Sequence, residues 1–575
     1  MNLKRLAAVL LALLLTLSFA SCGNSRKEVG PVDVSDYQRS DLKLEEMTFI
    51  DYDDTHFNDI VDALDEAILK EGNDEEVKRL IEELRVESSL LQDALLHLEL
   101  EYYSDPSNNE KFKAYTDADN LSLYVDDDLL VIISRVLDSP YEQLMLDAIG
   151  IKDEEYIEAF YDYEGMTDEE AALQEQIKAL QAEFNEWYAG TKQPEAVING
   201  ETWNWDRYYE ENGGYDVYEA LYKEEGLQMG RIQMELVSLR NQVAAIHGYD
   251  NYYDMAWTES YSRNYTYNDF QKVAGFTKEN LSDILLTINR SYLNSDAQSV
   301  YDIDPTTLHE KLLASDKLMP NARQALEYIH DKGLMYVAPD GSYQVGFSTK
   351  FESFGEPFIY VTHEDPADNL SAIETITHET GHCINFFYDK SNVFGAMVFD
   401  LDVAETQSTG MVLMYMDVIK DLYDGAEESV PRWYLLDAAL TLINCGYQAE
   451  VEHLMYTSPD LTPLEISQKA GQIAHDYGYY GAIQSDGNSY FWAHIPHYSD
   501  SPGYVVSYVM SQAASIGVWT KSMNNREKAM EMFDEILTLQ NNETHYDKMV
   551  EEYDLGVYQA SMYKNLKKEI MKLWK

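Results

Sequence analysis

The sequence predicts a mostly α protein of two helical lobes, with one small β-sheet next to a helix that carries the most reactive cluster in the chain. Three observations predict it. Helical patterning dominates from about residue 46 to 335, with start signals at Asp74-Glu75-Glu76-Val77 and in the capping box Thr167-Asp168-Glu169-Glu170 that leads into Ala171 to Tyr188. Strand signals are confined to two short aromatic and β-branched runs, Tyr343-Gln-Val-Gly-Phe347 and Pro357-Phe-Ile-Tyr-Val361, flanked by Gly341, Gly355 and Glu356. Finally, 575 residues exceed what one hydrophobic core usually serves, so lobes at 46–335 and 336–575 are expected, with no repeat at a solenoid period.

At the N-terminus Lys4 and Arg5 precede the apolar run Leu6 to Leu17 and then Ser18-Phe-Ala-Ser21-Cys22-Gly23, the layout of a secretion signal. A cysteine directly after small residues resembles the lipobox of bacterial lipoproteins. That implies a signal peptide over 1–21, acylation of Cys22, and a chain held by its lipid on the outer face of the cytoplasmic membrane, at the bacterial cell surface. Acyl chains contribute about 0.8 kcal/mol per buried methylene, so two or three suffice as an anchor. Residues 22–45, with Gly30-Pro31 and scattered charges, read as a flexible tether. No later stretch reaches the eighteen apolar residues of a membrane span.

The strand runs feed the stretch Glu374-Thr-Ile-Thr-His378-Glu379-Thr-Gly-His382-Cys-Ile-Asn-Phe-Phe-Tyr388. Breaker and capping residues at Asp365-Pro366-Ala-Asp368-Asn369, followed by Ile373, Ile376, Ile384 and Phe387, predict a helix here. On a helix His378 and His382 share one face and can reach one metal ion. Glu379, one position on, can approach a water in an open coordination place and act as general base while the ion polarises a carbonyl. This is chemistry for hydrolysing amides. Zinc suits two imidazoles and a carboxylate, although cobalt or manganese fits the same ligands. A strand edge beside the metal would let a peptide bind extended, adding itself as a strand.

A catalytic zinc needs a third protein ligand and an open fourth place. The sixth residue after His382 is Tyr388 and the third is Asn385, which disfavours a third histidine in the metzincin manner. The alternative is a carboxylate on a returning helix, and Asp400-Leu-Asp402-Val-Ala-Glu405-Thr-Gln-Ser408 offers three. Glu405 is preferred as a residue of that helix's first turn, with Asp400 and Asp402 read as a cap and as acceptors for imidazole N–H groups. Cys383 points about a hundred degrees away from the histidine face and reads as a buried thiol. Spacing does not decide whether it pairs with Cys445.

His-Glu-Thr-Gly-His followed by Val403-Ala404-Glu405-Thr406-Gln407-Ser408 resembles the oligoendopeptidase F and thimet oligopeptidase group of zinc peptidases. Leu236 to Tyr253, with its Gly248-Tyr249-Asp250-Asn251-Tyr252 turn, resembles a segment of that family's helical region. So do Trp492-Ala-His-Ile-Pro-His497-Tyr498 and Tyr504-Val-Val-Ser-Tyr508 near the C-terminus. The likeness runs collinearly from about 200 to 575. It implies zinc ligands His378, His382 and Glu405, a base at Glu379, and His497 and Tyr504 facing the scissile peptide. It also implies two lobes flanking a deep channel that admits short peptides. Two positions depart from the family pattern. Val506 stands where many relatives carry a second tyrosine, so that Tyr508 or Tyr498 is the candidate substitute for substrate contact, and Gly410-Met411-Val412 stands where relatives carry a carboxylate. His494 is an alternative to His497.

With 42 basic and 103 acidic residues the chain carries a formal charge of −61, which argues against nucleic acid as a partner and for neutral or cationic peptides over acidic ones. The expected function is therefore that of a zinc metalloendopeptidase acting on short unfolded oligopeptides. A zinc carboxypeptidase or dipeptidyl carboxypeptidase, and a non-catalytic peptide-binding surface lipoprotein, are the alternatives.

Overall fold

The computed structural model describes residues 31–288, 304–339, 341–343, 345–362, 369–479 and 489–574. The signal segment, Cys22 and the capping run Asp365 to Asp368 lie outside the described residues. The described elements belong to the unit Val34–Lys575 and are 68% helical, with a two-stranded and a three-stranded sheet between them. The fold is thus mostly α, as expected.

Local sequence accounts for many helix ends. The helix Asp74–Ser104 starts with three carboxylates against its positive end. Thr167 caps Asp168–Tyr188 by accepting the Glu170 N–H at 3.1 Å. Asn251 does the same for Asp254 at the turn between Tyr215–Ile246 and Tyr252–Glu259. Phe57, Leu64, Val77, Leu84, Ile132 and Met145 build one core among the helices of residues 55–149, and Val393 and Phe394 enter it from the catalytic half of the sequence.

The three-stranded sheet comprises β1 (Met335–Val337), β2 (Phe347–Phe351) and β3 (Glu356–Val361) in the order β1-β3-β2, with β1 parallel and β2 antiparallel to β3. All six residues of β3 are buried, the pattern of a central strand, and β2 lies at the edge. The expected strand at Tyr343–Phe347 begins instead at Phe347. The Tyr343 N–H is taken by the Tyr103 carbonyl at 2.7 Å, and the Tyr343 ring stacks on Tyr103 with 5.0 Å between centroids, which holds this residue on the Asp74–Ser104 helix and out of the ladder.

Helix α1 (Asn369–Tyr388) packs on this sheet and on α2 (Leu401–Ile419). Helix α2 is buried along almost its whole length because α1, α3 (Ala426–Thr457) and α4 (Val505–Ser522) surround it. Ahead of these elements, Ser40 donates its N–H to the Phe354 carbonyl at 2.8 Å and the Arg39 guanidinium lies over the Phe387 ring at 3.8 Å. No described helix is long and apolar enough to cross a membrane.

Candidate metal centre

Two glycines allow the site to form. A Cβ on Gly381 would lie 2.7 Å from both the Gln407 carbonyl oxygen and the Ser408 Cα, so α1 and α2 cross in backbone contact at the middle of the His378–His382 turn. That crossing brings Glu405 to the imidazoles. A Cβ on Gly346, just before β2, would lie 2.7 Å from the Thr375 methyl and 3.8 Å from Glu379 Oε1, so its absence leaves space in front of that carboxylate. Strand β2 is tied to the same helix by Ser348 Oγ, which donates to the Glu379 carbonyl at 2.8 Å.

Helix α2 is started by Asp400, whose Oδ1 accepts the N–H groups of Asp402 and Val403 at 3.0 and 3.1 Å while Oδ2 accepts that of Tyr546 at 2.8 Å. Glu405 therefore falls just beyond the first turn. Its Oε2 lies 3.5 Å from His378 Nε2 and 3.7 Å from His382 Nε2, and the ligand atoms of the three residues all fall within 4.8 Å of one another. Ligands bonded to zinc at about 2.0–2.1 Å in a tetrahedron stand about 3.3 Å apart, so this donor set fits the ion. Burial would raise the Glu405 carboxyl, but the imidazoles, His382 foremost, and the Tyr504 hydroxyl hold it at about 2. Burial lowers His378 despite the neighbouring carboxylates, whereas at His382 burial, the largest single influence, is overcome by the charge and hydrogen bond of Glu405 together with Glu379, and the imidazole is raised. Glu379 is 6% exposed and occupies the sheet side of the cluster.

The third wall comes from the segment 497–508. Tyr504 donates its hydroxyl to Glu405 Oε1 at 2.6 Å, and its ring centroid is 5.5 Å from that of His497 and 5.1 Å from that of Tyr508. Tyr508 Oη is 3.5 Å from His497 Nε2. Burial and the Glu405 charge raise both phenols well above their ordinary range, so they are protonated donors, and burial lowers His497. His494 is elsewhere, stacked on Tyr222 with 4.8 Å between centroids. Tyr498 is also apart, buried with its hydroxyl donated to the Gln448 carbonyl at 2.6 Å, so of the two candidate substitutes Tyr508 is the one at the cluster. Val506 faces the core.

A buried arginine that the sequence reading did not single out holds this wall in place. Arg263 donates to the Gly503 carbonyl at 3.0 Å and to Ser507 Oγ at 2.6 Å, and its Nε lies 3.4 Å from Asp402 Oδ2. Glu452 accepts the Gly503 N–H at 3.0 Å, and Arg240 donates to the Tyr498 carbonyl at 2.8 Å and also to that of Ser499. Asp402 thus serves Arg263 and the Tyr265 hydroxyl, where the spacing had offered it to an imidazole. Ser408 Oγ donates to the Glu405 carbonyl at 3.0 Å and lies 3.3 Å from Glu405 Oε2. Cys383 is a buried free thiol, and Cys445 is free as well.

PZ peptidase A in complex with inhibitor 2 superposes at TM-score 0.72 over 92% of this chain and 99% of that one, at 17% identity. A structure assigned as an oligoendopeptidase F from Bacillus anthracis strain Ames gives 0.69 over 93% and 98% at 15% identity, and oligoendopeptidase F from Enterococcus faecium gives 0.51 over 90% and 98% at 16%. The fold is that of the oligoendopeptidase F structures. No family model matches the chain, and no curated relative does.

Proposed function

We propose that the protein is a zinc-dependent endopeptidase acting on short, unfolded peptides. The observation that carries this reading is the convergence of His378, His382 and Glu405 on one point, with Glu379 on the same helix and an edge strand alongside. The peptidases that share the fold support it. Zinc bound by the three ligands would supply a Lewis acid and an acidified water.

The chain's own residues then divide the work. Glu379 takes a proton at its carboxylate and returns it to the leaving amine, with room before Oε1 because Gly346 has no side chain. The edge of β2 offers backbone groups to an extended peptide, which sets the scissile carbonyl beside Glu379. Tyr508 and His497 present donors on the wall formed by residues 497–508, and Tyr504 would join them by turning its hydroxyl away from Glu405 once zinc holds that carboxylate; a donor aimed at the developing oxyanion stabilises the transition state by about 3 kcal/mol. A carboxypeptidase would need a cation to hold the substrate's terminal carboxylate, and Arg240 and Arg263, the arginines behind this wall, are buried and committed to the backbone and Asp402. Lipid attachment at Cys22, and with it a place on the outer face of the membrane, belongs to the proposal on the strength of the sequence alone.

The test is digestion of a mixed peptide library, with and without chelator, by the wild-type protein and by Glu379→Gln, with zinc content measured in each. Internal cuts that need metal, and a variant that keeps zinc but loses turnover by several orders of magnitude, are expected. Cuts confined to C-termini would replace the endopeptidase reading with a carboxypeptidase one. No turnover with zinc fully loaded would make the chain a peptide-binding protein.

A further inference from the structure

Asp153, Glu155 and His545 form a second group of donors whose ligand atoms all lie within 4.8 Å of one another. His545 Nε2 is 3.0 Å from Glu155 Oε2 and 3.5 Å from Asp153 Oδ1, against nitrogen-to-oxygen spacings of 3.5 and 3.7 Å in the first centre. Clustered surface carboxylates alone mean little. The informative member is His545, which is 2% exposed and has neither ring nitrogen in a hydrogen bond among the described residues. The buried Nε2 stands within ion-pair distance of two carboxylate oxygens while neither ring nitrogen makes a well-aligned hydrogen bond, an arrangement that a cation shared with those oxygens would satisfy.

The group is also fixed in advance. The His545 ring stacks on Tyr156 at 4.6 Å with 4° between planes, and the Tyr156 hydroxyl is donated to the Thr544 carbonyl at 3.2 Å. Asp153 is held by the Glu155 N–H, 3.0 Å from its Oδ1. Lys548 Nζ stands 3.7 Å from Asp153 and 3.6 Å from Glu155, but its side chain is 55% exposed and can swing into solvent.

We propose that Asp153, Glu155 and His545 bind a second divalent ion of the zinc type, separate from the centre at His378. One imidazole and two carboxylates suit first-row divalent metals, and the ligand spacing suits bonds of about 2 Å. The ion would join the turn Glu154–Ile157 to the segment before Tyr546, whose N–H is held by Asp400, the residue that caps the Glu405 helix. It would thereby brace the N-terminal helices against the frame of the first centre. The proposal does not depend on the peptidase reading.

To test it, full-length protein carrying His378→Ala and His382→Ala would be titrated with Zn²⁺ by calorimetry at neutral pH. One ion per chain is expected. Adding Glu155→Gln, an exposed position that leaves folding intact, should weaken binding about tenfold or more, and adding His545→Gln should abolish it. Adding Lys548→Met should tighten it, because a competing charge is removed. No Zn²⁺ uptake by the double variant, or uptake unchanged by Glu155→Gln and His545→Gln, would overturn the proposal.

Discussion

The contact at Gly381 allows a test in which two physical effects have opposite signs. In Gly381→Ala the new methyl would stand 2.7 Å from the Gln407 carbonyl oxygen and the Ser408 Cα and 3.0 Å from the Met411 Cβ. Two of these three atoms are backbone, so no rotamer change relieves the overlap. Restoring ordinary contact near 3.4 Å needs α1 and α2 to part by roughly 0.7 Å, and such overpacking costs about 1–3 kcal/mol. Helix propensity acts the other way, favouring alanine by about 1 kcal/mol. The net expectation is a loss of about 0–2 kcal/mol in the zinc-free protein. The same shift carries Glu405 off its 3.5 and 3.7 Å spacing from the imidazoles, and since metal sites tolerate about 0.2 Å, zinc affinity should fall about tenfold or more. Denaturant unfolding of metal-free protein and zinc competition against a chelator measure the two effects. An alanine variant as stable as wild type, with unchanged zinc affinity, would refute the argument that the crossing builds the site.

Tyr504→Phe removes the 2.6 Å bond to Glu405 and the nearest donor to the cluster; zinc affinity should weaken about tenfold, and turnover of the zinc-loaded variant should fall about a hundredfold, measured separately by competition and by peptide cleavage. Arg263→Gln leaves the buried Asp402 carboxylate without its cation and should cost about 3–5 kcal/mol, whereas the double change Arg263→Met, Asp402→Leu should recover stability but not activity; equal recovery of both would show that the pair has no positioning role. Glu352 is raised to about 7, by burial first and by Asp389 and Asp93 against the pull of Lys350. A carboxyl raised in the folded state binds protons there that the unfolded chain releases, so its contribution to stability declines as pH rises from the ordinary glutamate value to about 7, by roughly 3 kcal/mol in all. In Glu352→Gln that decline should vanish, so the variant gains on wild type between pH ~5 and pH ~8 in denaturant midpoints; a constant difference would reject this assignment.

Much of the centre was legible because its signals are local. His378, Glu379 and His382 lie within one turn and a half, and Asp400 caps a helix with its own side chain, so spacing alone places them. Tyr508 could have been preferred over Tyr498 on the same ground. It is four residues from Tyr504 and shares its helical face, while Val506, two residues on, turns into the core. The start of β2 was not legible, since it depends on Tyr343 meeting Tyr103, 240 residues away in the chain, and no local pattern records that meeting. Arg263 was missed for the same reason: one arginine in Tyr-Ser-Arg-Asn-Tyr has no periodicity or cap to mark it, and its partners Asp402 and Gly503 are distant in sequence.

These distant partners explain how a site assembled from three separate stretches keeps its register. Glu405 travels with α2, and Tyr504 and Tyr508 with the start of α4. Apolar packing between α2 and α4 is non-directional and does not by itself orient the 2.6 Å bond between Tyr504 and Glu405. Arg263 supplies that orientation by contacting Asp402, three residues before Glu405, and at the same time Gly503 and Ser507, on either side of Tyr504. A buried ion pair of this kind adds little to stability, because desolvation consumes most of its attraction. What it does impose is direction: sliding either helix would strand a charge in the core. The metal ligand and the hydroxyl donor are therefore referred to one guanidinium, and the price of burying it is consistent with a device for alignment.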